Sequence, residues 1–99
     1  MKYRKEFDSL GTIKVPSNKY WGASTQRSDK YFDIGDFLVR PIVIKSIAII
    51  KKAAAIVNAK DKNLDKKISK VIIKAANEVI SGKLNDNFPL KVWQTGSGT

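Results

Sequence analysis

The chain is 99 residues long, carries a net formal charge of +10 from 19 Lys+Arg against 9 Asp+Glu, and contains neither cysteine nor histidine. That length allows one domain at most, and 42% hydrophobic content belongs to a folded chain rather than a disordered one. Disulfides, thiolate metal sites and imidazole acid–base chemistry are excluded.

At the N-terminus, Met1-Lys2-Tyr3-Arg4-Lys5 is not followed by an apolar run, so no signal peptide is expected. From Phe7 to Val15 the chain reads as a short hairpin or ribbon. Gly11 suits a turn, Thr12-Ile13-Lys14-Val15 alternates with period two, and Pro16 closes the run. Ser17 is the expected N-cap of a brief helix through Trp21 and Gln26, and Asp33–Asp36 with Gly35 reads as a loop.

Pro41 suits a first helical turn, and the spacing predicts a helix from Ile42 to about Ala59. Val43, Ile47, Ile50, Ala54 and Val57 recur at steps of four and three and mark its expected inner face. Ile44, Ala48, Ala55 and Ala59 widen the apolar surface, as in a helix buried among several partners. Lys45, Ser46, Lys51 and Lys52 interrupt the stretch, which is also too short for a membrane span.

Asp61-Lys62-Asn63 reads as a connector with Asn63 as the next N-cap. A second helix is predicted from Leu64 to Ser81, with Leu64, Ile68, Val71, Ile72, Ala75 and Val79 inward, Lys70 and Lys74 outward, and Gly82 as C-terminal cap. Ile73 is expected to be exposed, opposite the core stripe.

The main candidate site is Trp93-Gln94-Thr95-Gly96-Ser97-Gly98-Thr99. Its glycines let a ligand approach the backbone closely, and its amides and hydroxyls suit an anion such as a carboxylate. A flexible linker is the plainer alternative, which the large ring of Trp93 disfavours. No lysine follows the closing glycine, so this is not a Walker A loop. Arg27, with Thr25 and Gln26, is a second candidate for gripping a carboxylate; an exposed ion pair is the competing reading. Glu6, Asp8, Asp61, Asp65 and Glu78 show no acid/base or metal spacing and read as solvated charges. The basic residues are scattered and not interleaved with aromatics, so nucleic-acid binding is not expected, although a small basic protein binding nucleic acid or acidic partners stays as an alternative.

Several segments, in order, resemble the N-terminal portion of class II fumarate hydratase. They are Asp8-Ser9-Leu10-Gly11 with Val15-Pro16, then Trp21-Gly22-Ala23-Ser24-Thr25-Gln26-Arg27-Ser28, Lys52-Ala53-Ala54-Ala55, Ala76-Asn77-Glu78-Val79-Ile80, and Phe88-Pro89-Leu90 leading into Trp93–Thr99. Aspartase and other members of the superfamily share the layout, but the Trp-Gln-Thr-Gly-Ser-Gly-Thr loop is closer to the fumarase version.

The resemblance implies a mostly α fold, with a short N-terminal β-ribbon followed by helices as in the N-terminal domain of the fumarase/aspartase fold. It implies reversible hydration of fumarate to (S)-malate with no cofactor or metal, in a cytoplasmic homotetramer of the tricarboxylic acid cycle. Ser97, Gly98 and Thr99 would hold a substrate carboxylate, with Thr95 in support. The family's serine signature, histidine and long central helices have no counterpart in residues 1–99. The chain is therefore expected to be an incomplete N-terminal domain without catalytic residues, inactive by itself.

Overall fold

The computed structural model describes residues 1–94. In chain order these form β1 (Tyr3–Asp8), β2 (Gly11–Pro16), α1 (Ala23–Tyr31), α2 (Pro41–Lys60), α3 (Lys66–Ile80) and a 3-10 turn, Asn85–Asn87. The expected fold class, helices after an N-terminal ribbon, is the one observed. The chain divides into two compact units: Met1–Val39 with the chain from Asn87 onward, and Arg40–Asp86.

In the first unit β1 and β2 pair antiparallel, in register from Tyr3↔Pro16 to Asp8↔Gly11. The pairing leaves Ser9-Leu10 as a two-residue connection, tightened by Leu10 N–H donating to Asp8 Oδ1 at 2.9 Å. Ile13 and Val15 point inward from β2, and Val15 is fully buried. The inward positions of β1 are charged: Arg4, Glu6 and Asp8. Half-buried charges persist only when partnered, and these are. Arg4 Nε meets Glu6 Oε1 at 2.6 Å, while its other nitrogens donate to the carbonyls of Pro16, Lys19 and Trp21 at 3.0, 2.6 and 2.6 Å. Glu6 and Asp8 are therefore not the solvated charges their spacing suggests.

The Arg4 bonds also shape the approach to α1. Ser17 does not cap a helix; its N–H donates to Lys2 O and it sits in a turn beyond the ribbon. Arg4 instead ties the carbonyls of Pro16, Lys19 and Trp21 into a turn, with Lys19 N–H also on Pro16 O, and the helix begins only after Gly22, the N-cap of α1. The helix then runs past Gln26 to Tyr31.

Arg27 joins α1 to the hairpin. It grips Asp8 with two bonds, Nε to Oδ2 at 2.9 Å and Nη2 to Oδ1 at 2.8 Å, with side-chain exposures of only 17% and 16%. Its Nη2 also donates to Gly11 O. The Arg27 hydrogen bonds hold the Asp8 carboxyl below its ordinary value, against a smaller upward push from burial. A depressed folded pKa contributes stability above the unfolded value of about 3.9 and loses it as pH falls through the folded value. The urea midpoint of the chain is thus expected to drop as pH falls from about 5 to below 4, and Asp8→Asn to flatten that slope. Equal slopes for both proteins in paired urea titrations would refute the assignment.

In the second unit α2 and α3 form an αα-hairpin. Pro41 occupies the first turn of α2 as expected. The helix closes with Lys62 N–H on Ala59 O and Asn63 N–H on Asn58 O, and Lys62 lies in the left-handed region at φ 61°. This is the Schellman pattern with lysine in the usual glycine position. It engages Asn63, so the N-cap of α3 passes to Asp65, whose carboxylate accepts from Lys67 N–H at 3.2 Å. Gly82, at φ +85°, ends α3 as expected, its N–H on Val79 O.

The packed faces differ from the periodic ones. On α2 the buried residues are Ala48 and Ala55, flanked by half-buried Ile44, Lys52 and Ala59, whereas Val43, Ile47, Ile50, Ala54 and Val57 are exposed. On α3, Ser69 and Ala76 are buried and Ile72, Ile73 and Val79 are half-buried, while Ile68, Val71 and Ala75 face out; Leu64, half-buried, lies before the helix rather than in it. Small side chains let the two backbones approach, and Ser69 Oγ donates to Ala55 O at 2.9 Å across the seam. A buried bond of this kind is worth about 1 kcal/mol net. α2 is apolar nearly all round, so its periodicity identified a stripe but not the stripe that α3 covers.

Candidate functional site

Thr95, Ser97, Gly98 and Thr99, the expected carboxylate-binding residues, lie outside the described residues, which end at Gln94. What the structure describes is the approach to them. Phe37–Val39 and Leu90–Val92 run antiparallel past each other, joined by Val39 N–H on Leu90 O at 3.0 Å and Val92 N–H on Phe37 O at 2.8 Å, with Leu38 opposite Lys91. Gln94 N–H returns to Lys91 O at 3.1 Å in a turn. Lys91 Nζ lies 3.5 Å from the Asp33 carboxylate.

Gly35 completes this support. It lies in the expected Asp33–Asp36 loop at φ +76°, which favours glycine, and a Cβ there would stand 3.2 Å from Trp93 Cδ1. The Trp93 ring edge thus occupies the space a side chain at position 35 would need, while the residue remains 66% exposed. The segment preceding Thr95 is anchored by backbone bonds, an ion pair and a ring contact. That is the behaviour of a positioned loop stem rather than a free linker.

The second candidate resolves differently. Arg27 is committed to Asp8 and Gly11 O, and Gln26 Oε1 accepts from Trp21 Nε1–H at 2.8 Å. The Arg27 fork is thus taken up, while the Gln26 bond uses only its carbonyl oxygen. The arginine does clamp a carboxylate with two bonds, but an internal one, because β1 places Asp8 beside α1. Ser28 Oγ, on the same helix, is enclosed and meets no hydrogen-bond partner among the described residues.

Sequence reasoning missed Arg4. Its signal was its phase: Arg4, Glu6 and Asp8 share one face of a strand whose partner buries Val15. Tyr20 N–H on Asn87 Oδ1 at 2.8 Å further holds the stretch that Arg4 organises. Among the described residues no group of three His, Cys, Asp or Glu could hold a metal ion, and no helix is long and apolar enough to cross a membrane.

This arrangement holds its loop stem by backbone bonds and by the Lys91–Asp33 ion pair. Residues 11–99 match the family described as Lyase. The chain is 52% identical over 99 residues to the class II fumarate hydratase of Bacillus cereus, covering 100% of this chain and 21% of that protein. It is 56% identical over 99 residues to the human mitochondrial fumarate hydratase, covering 98% and 19%. A crystal structure of class II fumarase from Schistosoma mansoni superposes with a TM-score of 0.95 at 41% identity, over 99% of this chain and 21% of that one. The chain therefore spans about a fifth of the length of the relatives it matches. With the family model covering residues 11–99 and these identities extending over nearly the whole chain, the chain belongs to the lyase family, as a relative of the class II fumarate hydratases.

Proposed function

We propose that this chain supplies the carboxylate-binding loop of a fumarate hydratase, which adds water reversibly to fumarate to give (S)-malate. The observation that carries the reading is about 50% identity across the full chain to proteins of that name, ending in an anchored stem that leads into Thr95. In this reaction a base removes the C3 proton of malate, and charge develops on the adjacent carboxylate. Donors fixed where that charge appears lower the barrier most. Ser97 and Thr99 offer hydroxyls, Ser97, Gly98 and Thr99 offer amides, and Thr95 supports the turn. The ligand is a small dicarboxylate, fumarate or malate, and no cofactor is assigned.

The base is assigned to a central helical bundle and C-terminal domain outside residues 1–99, so that these residues act as the N-terminal domain of a homotetramer. The cytoplasm and the tricarboxylic acid cycle are its proposed setting.

The purified chain is expected to show no malate-to-fumarate turnover above buffer. Titration with fumarate should move the amide resonances of Ser97–Thr99 only weakly, because a few hydrogen bonds do not offset the loss of ligand freedom. Turnover well above buffer, or fumarate-induced shifts confined to residues outside the loop, would overturn the reading.

A further inference from the structure

Lys70, Ile73, Lys74, Asn77, Glu78 and, beyond the helix end, Lys83 line an open groove of ≈ 440 Å³ on α3. The helical members recur at i, i+3, i+4, i+7 and i+8, so they share one face. Lys83 is brought back beside that face by the left-handed turn at Gly82, and its N–H is held by Ser81 Oγ at 3.4 Å. Ser81, also in the lining, is engaged elsewhere, its Oγ donating to Glu78 O at 2.6 Å.

Three lysines and one glutamate therefore line the groove. None of Lys70, Lys74 and Lys83 takes part in the ion pairs found among the described residues, such as those of Arg4, Arg27 and Lys91. Lys70 and Lys74 stand one helical turn apart, where like charges repel. A multivalent anion bridging them would remove that repulsion, linking binding to the stability of the unit.

The lining contains lysine and no arginine, so it offers point charges of the kind that bind phosphate and lacks the planar fork that pairs bidentately with carboxylate or phosphate. Set against the Glu78 carboxylate, its three lysines leave a net charge of +2 toward a bound anion. No aromatic ring lines the groove, so nucleic-acid bases find no stacking platform. We propose that this groove binds a small polyphosphate, with Lys70, Lys74 and Lys83 converging on its charge and the Asn77 amide donating to it. Ile73 supplies the apolar part of the floor. This groove shares no residue with the candidate carboxylate loop, and the proposal does not depend on the hydratase reading.

The test is calorimetric titration of the full chain with sodium tripolyphosphate and, in a parallel arm, with ATP. Binding of one equivalent is expected, with a raised thermal midpoint. Preference between the arms tells an inorganic from a nucleotide source. The double variant Lys70→Gln/Lys74→Gln should weaken binding at least tenfold, whereas Lys45→Gln/Lys60→Gln, on exposed positions of α2, should leave it unchanged. Equal loss in both double variants, several equivalents bound, or tighter binding of a short oligonucleotide than of tripolyphosphate would show a diffuse basic surface and overturn the proposal. Circular dichroism confirms that the variants remain helical.

Discussion

Replacing the matching segment of the Bacillus cereus fumarate hydratase with residues 1–99 is expected to give an active hydratase, and Ser97→Ala within that chimera should reduce kcat/KM by roughly 10²–10³-fold. That is the range for removing one donor to developing carboxylate or oxyanion charge. The loss should appear mainly in kcat, since the charge is greatest in the transition state. Thr99→Ala should behave alike. Gly35→Ala is the structural counterpart. It strains a backbone held at φ +76° and sets a methyl 3.2 Å from Trp93, shifting the stem of the loop without touching substrate. Small misplacements of a binding group are kinetically expensive, so a fall on the order of tenfold is expected from Gly35→Ala. Steady-state assays in both directions measure these effects. Wild-type rates in Ser97→Ala would remove the loop from the mechanism, and an inactive but folded chimera would sever the link to hydration altogether.

Local patterns carried much of the fold into view, for identifiable reasons. The β2 alternation, Pro41 and Gly82 each impose a constraint within a few residues, and each appears where expected. The failures come from partners distant in sequence. Ser17 reads locally as a helix cap, but Arg4, thirteen residues earlier, ties the carbonyls around it into a turn. Asn63 lost its capping role to the Schellman closure of the preceding helix, which requires knowing that Lys62 accepts a left-handed conformation. Arg27 reads as a candidate grip for an external carboxylate, but it forms the competing ion pair, half-buried rather than exposed, and nothing in the local sequence says that Asp8 is its partner. The candidate loop is an expectation from its glycines and hydroxyls and lies outside the described residues, whereas its stem depends on Gly35 and Leu38. Those residues reach it only through tertiary pairing.

Ala55→Leu is expected to destabilise the chain by about 1–3 kcal/mol, because the seam between α2 and α3 has no room for three extra carbons. Ser69→Ala should cost about 1 kcal/mol through the lost bond to Ala55 O. In the same chain Ile50→Ala should change stability by less than about 0.5 kcal/mol, since that side chain is 64% exposed. This order reverses what hydrophobic periodicity alone would assign, where isoleucine at position 50 is core and alanine at 55 peripheral. Urea unfolding of the three variants decides it, and an Ile50→Ala loss exceeding that of Ala55→Leu would mean the small-residue seam is not the packed one. Repeated in the chimera, Ile50→Ala should cost about 2–5 kcal/mol, the range for emptying a buried aliphatic site. A helix with Val43, Ile47, Ile50 and Val57 along one exposed stripe is built to pack against further protein. The difference between the two backgrounds therefore measures how far that stripe is covered once the remaining four-fifths of a hydratase is present.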